Sequence, residues 1–291
     1  MKIVFIILHY NNFLCTCECI ESIKNTQSSY DYKIVIVDNG SKNDSGKEIE
    51  KKYRKYKNIK IILNKENFGF SKGNNIGCEY AIKNFNPEFL FVINNDIIVK
   101  TPNIYAILKK KYEKQKFDVA GSNIWNVNKK YNHNPCFVIS NLKEAKKELK
   151  SFIIQEKFCR WNIYFFYVLY IKIKKLLLKK FLFKNKLNKG LHGSALIFSR
   201  SYINKYKKIF PEKTFLYGEE NFLNYRRVRD KLVFSYIYKI LLYHKESVVT
   251  KQKFKSRNKK WKFQILYMKY SREILLKLYL NLEKCDIENE F

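Results

Sequence analysis

Phe89-Leu90-Phe91-Val92-Ile93-Asn94-Asn95-Asp96 is the stretch on which the fold turns. Five apolar residues in a row, followed at once by two amides and a carboxylate, describe a fully buried strand that ends in a polar turn. The same grammar recurs towards the N-terminus, where Ile3–Leu8, Lys33–Val37 and Ile59–Leu63 are further apolar runs of strand length. Helical patterns separate them. Phe13, Cys17, Ile20 and Ile23 recur at helical spacing, and Ser45–Glu48 reads as a capping box ahead of Ile49, Tyr53 and Tyr56. A Gly- and Asn-rich turn, Asn67 to Asn75, leads into a helix through Ile76 and Tyr80. Thr101-Pro102 supplies an N-cap and a first-turn proline for a helix near 103–115. This alternation argues for an α/β fold, a mostly parallel sheet flanked by helices. Ligands of such sheets sit outside the carboxyl ends of the strands. The segments His9–Asn12, Asp38–Ser41, Asn64–Asn75 and Asn94–Asp96 are therefore expected on one rim.

The second half is less regular. Residues 122–150 are polar and offer few turn signals, and 158–183 are dense in aromatic and aliphatic side chains with interspersed Lys. The uncharged run Trp161–Ile171 is too short to span a bilayer, which needs about 20 apolar residues. It reads either as a cationic amphipathic surface on an anionic membrane or as core and internal lid. Strands are expected at Gly193–Phe198, Leu232–Tyr238 and Ile240–Tyr243, and a C-terminal helix from Trp261 to about Lys284.

Bulk composition bounds the rest. A chain of 291 residues with 46% hydrophobic content is not generally disordered. Its 58 Lys+Arg against 26 Asp+Glu give a formal charge of +32, which favours anionic partners: nucleic acid, anionic lipid or phosphorylated substrates. The abundance of Lys, Asn, Ile, Phe and Tyr is equally what an AT-rich coding sequence produces. Seven cysteines without a paired framework point to a reducing compartment. Cys15, Cys17 and Cys19 form the one cluster, and on a helix they do not close a metal site. The apolar start is shorter than a signal-peptide core, so a cytoplasmic chain is expected.

Five places could do chemistry. Asp96, flanked by amides, offers hard oxygen to Mg²⁺ or Mn²⁺, which need one or two protein carboxylates when substrate phosphates complete the shell. Asp38 can accept hydrogen bonds from a base or ribose, or can cap a helix. Asn67 to Gly77 combines glycines, a helix N-terminus and Lys72, and matches neither a Walker loop nor a dinucleotide fingerprint. Glu219-Glu220, after Phe215-Leu216-Tyr217-Gly218, could include a general base, or could simply suit a helix dipole. Successive helical residues point about 100° apart, so at most one of the pair faces a site. His244 closes an apolar strand.

Taken in order, Tyr10-Asn11 after strand 1, V-D-N-G-S at 37–41, N-F-G-F-S-K-G-N-N-I-G at 67–77, N-N-D at 94–96, F-L-Y-G-E-E at 215–220 and the late His244 resemble the family 2 glycosyltransferases of GT-A fold, and among them bacterial enzymes of surface-polysaccharide synthesis. The resemblance runs from residue 2 to about 245, with a gap over roughly 125–190. It implies inverting transfer of a sugar, hexosyl or deoxyhexosyl, from a nucleoside-diphosphate donor to a hydroxyl of a growing glycan or lipid-linked saccharide. By the same resemblance Tyr10, Asp38, Asn67, Gly69, Lys72, Asn75 and Asn95 line the donor pocket. Asp96 and His244 hold a divalent cation, Mg²⁺ or Mn²⁺, and of the acids Glu219 and Glu220 the latter is the base. Asn94 stands where the family's metal motif has its first Asp, and Phe222 where a further acid is usual. The implied organisation is a nucleotide-sugar-binding half over 1–121, an acceptor-side and catalytic half over 122–250 with the insertion near 158–183, and a helical tail over 251–291. The implied location is the cytoplasm, peripheral to the inner face of the plasma membrane.

Two other classes compete. An RNA- or polyanion-binding protein fits the charge, but Lys is spread along the chain and no RNA-binding motif is present, so nucleic acid is not the expected partner. A catalytically inactive glycan-assembly scaffold fits Asn94 and Phe222.

Overall fold

The computed structural model describes residues 2–27, 32–128, 130–161, 189–245 and 257–289, with four more positions between 163 and 169. In chain order the elements are β1 (Ile3–His9), α1 (Phe13–Thr26), β2 (Tyr32–Asp38), α2 (Ser45–Tyr53), β3 (Ile59–Leu63), α3 (Gly69–Phe85), β4 (Phe89–Asn94), β5 (Ile97–Val99), α4 (Ile104–Lys114), β6 (Val119–Asn126), β7 (Cys136–Phe137), α5 (Leu142–Arg160), β8 (Lys189–Gly190), β9 (Ala195–Ser199), α6 (Arg200–Lys205), α7 (Glu219–Asp230), β10 (Phe234–His244) and α8 (Arg257–Asn289).

One eight-stranded sheet, ordered β3-β2-β1-β4-β9-β6-β10-β5, draws strands from both halves of the sequence, and β7 pairs with β8 apart from it. The β1–β2, β1–β4, β2–β3 and β6–β10 pairs are parallel, whereas β9 runs antiparallel to β4 and β6 and β5 runs antiparallel to β10. Side chains alternate across a strand, so each apolar run fills two cores. Ile3, Phe5, Ile7, Ile34, Ile36, Phe89 and Phe91 pack beneath Ile20 and Ile23 of α1, Ile49 of α2 and Leu108 of α4. Val4, Ile6, Val35, Val37, Leu90 and Val92 pack on the other face with Cys78 and Ala81 of α3, Tyr202 of α6 and Leu223 of α7. A third core joins α5, α7 and α8 through Leu142, Ala145, Phe222, Tyr225, Leu275 and Tyr279. Residues 257–289 are therefore a packed helix that helps close the second half.

Several expectations shift. The turn expected over Asn67–Asn75 is mostly helix, because α3 already starts at Gly69. A Cβ at Gly77 would lie 2.8 Å from Ile6 Cγ2 and from Val37 Cγ2, so this glycine lets α3 lie close on the sheet. Ser45 does not cap α2. Asp44 holds the cap position at φ 56° without a side-chain capping bond, and the Ser45 hydroxyl turns to His9 and Asn43. Thr101 does not cap α4 either. Its hydroxyl ties to β10 by donating to Lys239 O and accepting from Leu241 N, and Gln27 Oε1 receives the Ile104 N–H instead. The two strands expected over 232–243 are one strand, β10, whose register against β6 jumps between Ile237 and Leu241. The polar stretch 122–150 holds the end of β6, all of β7 and the start of α5.

The described cysteines of the N-terminal cluster, Cys15, Cys17 and Cys19, are free and buried, packing as small apolar groups. Among the described residues no helix is long and apolar enough to cross a membrane. Most of 158–183 lies outside the described residues, although Trp161, Phe166 and Leu169 are exposed.

Candidate functional site

Parallel pairing brings the carboxyl ends of the first four strands onto one rim, as the sequence pattern implies. His9 is in register with Asp38, Asp38 with Leu63, and Leu8 with Asn94. Asn39 N donates to His9 O and Asn64 N to Asp38 O, each at 2.9 Å, so the loops leaving the strands stay stitched together.

Asp38 is buried at this rim. Burial pushes its carboxyl above the ordinary range, and hydrogen bonds from the Ser41 hydroxyl and backbone N–H pull it back. A Cβ at Gly46 would lie 2.3 Å from Asp38 Oδ2, which places the carboxylate against the first turn of α2.

The next layer is a polar chain that sequence reasoning missed. His9 is fully buried, with Nδ1 2.7 Å from Thr16 Oγ1 and Nε2 2.8 Å from Ser45 Oγ. Thr16 has one hydroxyl proton, given to Asn12 O at 3.0 Å, and its oxygen accepts from Asn95 Nδ2 at 2.9 Å. Thr16 and Ser45 give their own protons to Asn12 O and Asn43 Oδ1, so the ring nitrogen that carries the His9 proton donates to a hydroxyl oxygen. Burial pushes the His9 imidazole down to about 4, so it is neutral at physiological pH. This chain links Asn95, beside Asp96, to the start of α2, beside Asp38.

Asp96 sits in the turn between β4 and β5, buried, with Oδ1 accepting from His244 Nε2 at 3.1 Å. The antiparallel pairing of β5 with β10 sets His244 opposite Ile97 and so delivers the ring to the turn. His244 Nδ1 is a buried nitrogen with no hydrogen-bond partner. Two further rings crowd the same place. His133 and His192 lie 5.0 and 6.0 Å from the His244 ring and 4.8 Å from each other. Burial, then the neighbouring imidazoles, push His192 down to about 3. Three of the chain's four histidines thus gather beside Asp96, drawn from segments that no sequence spacing connects.

Among the described residues no three His, Cys, Asp or Glu side chains converge as a closed metal cage. A carboxylate and an imidazole with a spare nitrogen nonetheless suit a hard cation that takes most of its shell from phosphate and water. Residues Asp96 and His244 would hold it.

The loop motif of 67–77 braces more than it opens. Asn67 Oδ1 accepts from Asn39 Nδ2 at 3.0 Å and from Gly69 N at 2.9 Å. Gly69 has φ +79°, and a Cβ there would lie 2.2 Å from Phe215 O, which accepts from Phe70 N at 2.9 Å. Lys72 is exposed, its ammonium 4.3 Å from the Phe68 ring centre. Asn75 is spent elsewhere. It is fully buried, giving Nδ2 to Phe210 O and Glu212 Oε1 and accepting from Phe210 N, so it pins the 210–212 segment. Tyr10 follows β1 half-buried at the rim.

The Phe215 contact ties the acid pair to that rim. Gly218, at φ 92°, starts α7, and Glu219 and Glu220 form its first turn. Glu219 is buried with Oε1 unpartnered, and burial, then the neighbouring Glu220, push it up to about 8. Glu220 is half-buried and looks the other way, with Oε2 3.7 Å from where a Gly193 Cβ would stand. Gly193 separates His192 from Ser194, whose carbonyl accepts from Asn94 N at 2.9 Å. The 192–194 loop therefore stands between Glu220 and the Asp96 turn. Phe222 is core of the α5–α7–α8 cluster, facing away from this rim.

The model of a protein family described as Glycosyl transferase family 2 matches residues 4–206. The chain belongs to glycosyl transferase family 2. Glu219, Glu220 and His244 lie beyond the matched span of this family 2 chain. Comparison with curated proteins gave no match. Among solved structures, residues 1–349 of S. aureus TarS in complex with UDP align at TM-score 0.55 and 16% identity, covering 84% of this chain and 60% of that one. The TarS complex with UDP-GlcNAc aligns at TM-score 0.56 and 15% identity, over 97% and 72%. GalNAc-T7 with UDP, GalNAc and Mn²⁺ aligns at 0.56 and 14%, over 84% and 44%. These likenesses establish a GT-A-like α/β fold for this family 2 chain, which spans well under the full length of two of those structures.

Proposed function

We propose that this family 2 chain is an inverting glycosyltransferase that moves a sugar from a nucleoside-diphosphate donor to a hydroxyl of a glycan or lipid-linked saccharide. The observation that carries the reading is the linkage of Glu220 to the strand-end rim, through Phe215 on one side and the 192–194 loop on the other. An acid, the strand-end rim and a carboxylate–imidazole pair are thereby joined through bonded segments.

In this reading Asp38 and Tyr10 receive the nucleoside, with Asn67, Gly69 and Lys72 on the donor side of the loop. Asn75 supports them from behind. Asn95 holds the turn that presents Asp96. A bound Mg²⁺ or Mn²⁺ would supply positive charge against the leaving diphosphate. Glu220 accepts the proton of the acceptor hydroxyl as that oxygen bonds to the anomeric carbon and the bond from carbon to diphosphate oxygen breaks. Glu219, pushed up to about 8 by burial and by its acidic neighbour, keeps its own proton at neutral pH.

Uridine diphosphate sugars are the first donors to try, because the TarS and GalNAc-T7 structures contain UDP. A role in surface-polysaccharide synthesis, and peripheral contact of the exposed Trp161 region with anionic membrane at the cytoplasmic face, complete the proposal. The test is a binding screen of nucleoside-diphosphate sugars with Mg²⁺ or Mn²⁺, followed by product analysis of any sugar released or transferred. Binding of oligonucleotides without affinity for any nucleotide sugar would overturn the proposal in favour of a polyanion binder. Donor binding with neither hydrolysis nor transfer would overturn it in favour of a scaffold.

A further inference from the structure

The outward face of α5 carries basic and apolar side chains with no acid among them. From Lys143 onward the exposed positions of this helix recur every three or four residues, and at about 100° per residue they share an arc of about 140°. Lys143, Lys146, Lys147, Lys150 and Lys157 lie on that arc, and Ile153 and Ile154 are exposed between them. Arg160 and the C-cap residue Trp161, which is 68% exposed, finish the stripe. The three acids of α5 fall outside it. Glu144 Oε2 accepts from Ser140 N at 2.9 Å, Glu156 Oε2 accepts from Lys269 of α8 at 2.9 Å, and Glu148 lies on the same side as these two. Among the described residues Arg160 alone of the basic stripe is paired, with Glu156 at 3.0 Å.

The fold does not use this face. α8 packs on the other side of α5, where Phe152 and Cys159 meet Ile265 and Met268. The stripe is nonetheless rigidly joined to the acid pair. Just before α5, Ile139 N donates to Asn221 Oδ1 at 2.9 Å, and Asn224 Nδ2 donates to Ile139 O at 2.8 Å and to Ser140 Oγ at 3.0 Å. Asn221 and Asn224 belong to α7, the helix that opens with Glu219 and Glu220.

Lys143 and Lys147, like Lys146 and Lys150, stand four residues apart, a spacing at which like charges repel along a helix. An anionic surface turns that unfavourable charge into attraction. Charge alone would suit nucleic acid as well, and the apolar members of the stripe decide between the two. A phosphate backbone gives Ile153 and Ile154 nothing to bury against, whereas a bilayer interface takes aliphatic side chains and lysines from one helix face together. Trp161 adds an indole, the side chain that settles at headgroup level.

We propose that the outward face of α5 is a docking surface for an anionic lipid bilayer, its lysines over the headgroups and Ile153, Ile154 and Trp161 entering the interface. This extends the membrane contact of the Trp161 region along the whole helix. It rests on the glycosyltransferase reading only for its use, which is to hold the α7 acids beside a lipid-linked acceptor.

The experiment is co-sedimentation of the full chain with vesicles of phosphatidylcholine alone and with vesicles carrying about 30% phosphatidylglycerol, which have a negative surface potential. Wild type should bind the anionic vesicles and lose most of that binding at about 1 M salt, where the screening length falls to about 3 Å. The triple variant Lys146→Gln, Lys147→Gln, Lys150→Gln should bind about 100-fold more weakly, at about fivefold for each lysine. Removing the same charge from the exposed end of α2, by Lys51→Gln, Arg54→Gln and Lys55→Gln, should weaken binding less than about fivefold. Quenching of tryptophan emission by lipid brominated in its acyl chains should disappear in Trp161→Phe. All these positions are exposed, and circular dichroism checks that each variant folds. Equal losses in the two triple variants, or no difference between the two kinds of vesicle, would overturn the proposal. Binding of polyuridylate with no binding to anionic vesicles would overturn it in favour of nucleic acid. Vesicle binding without transfer of any sugar would retain the docking face and remove the glycosyltransferase reading, and sugar transfer without vesicle binding would do the reverse.

Discussion

His9→Gln removes the imidazole that ties the Asn95 turn to the start of α2. His9 has both ring nitrogens within 2.8 Å of hydroxyls, and burial lowers it from 6.5 to about 4. Because the folded value is depressed, its stabilising effect is complete above pH 6.5 and is lost as pH falls towards 4. Between about pH 7.5 and about pH 5 the expected loss from this residue is about 2 kcal/mol, the cost of protonating the unfolded chain but not the folded one. His9→Gln cannot titrate, so its unfolding free energy should fall by about 2 kcal/mol less over that interval. His192 is depressed as well and contributes equally to both proteins, so it cancels in the comparison. At the upper pH the variant should be less stable by about 1–3 kcal/mol, since the buried Thr16 and Ser45 hydroxyls lose the imidazole between them. Urea unfolding followed by tryptophan fluorescence at the two pH values measures both quantities. Parallel pH dependence in the two proteins would refute a neutral, buried His9 as the link between the two site loops.

Other outcomes follow from the same geometry. Asp96→Ala should weaken metal-dependent donor binding in calorimetry, and wild-type affinity that is equal with and without Mg²⁺ or Mn²⁺ would count against the cation site. Gly69→Ala forces a side chain to φ +79° and against Phe215 O, so it should cost about 1–2 kcal/mol or more. It should also weaken donor binding, and an unchanged melting temperature would contradict the contact. Leu275→Ala empties a fully buried position in the α5–α7–α8 core and should cost about 2–5 kcal/mol in chemical denaturation. A negligible loss would mean that α8 is not part of the folded unit.

The half of the fold nearest the N-terminus was legible because its strands are buried on both faces and so read as unbroken apolar runs, each ending in a polar turn. That places Asp38 and Asp96 on one rim from sequence alone. The sheet's other half was harder to read. β6 carries Gly121, Ser122 and Asn123 among its apolar residues, and α5 buries only Leu142, Ala145, Phe152 and Cys159 of its nineteen residues. A signal for α5 was present, however: Asn141 caps it, its Oδ1 accepting from Glu144 N, while Glu144 Oε2 reaches back to Ser140 N. The side chains that complete the site were invisible for another reason. His133, His192 and Arg272 come from two separate loops and a distant helix, and only tertiary packing sets them beside Asp96 and the start of α7. Asn75 shows the opposite failure, since a motif residue beside glycines turned out to be an internal brace of the 210–212 segment.

The central claim is that Glu220 is the base of a sugar-transfer site whose donor rim stands without it. The direct measurement compares wild type and Glu220→Gln, with the acceptor and nucleotide sugar found by screening, in both a transfer assay and donor-binding calorimetry. Turnover should fall by about 10²–10⁴-fold, the usual worth of a general base, while donor affinity stays within about twofold. Turnover that survives the substitution, or donor binding that collapses with it, would contradict the account.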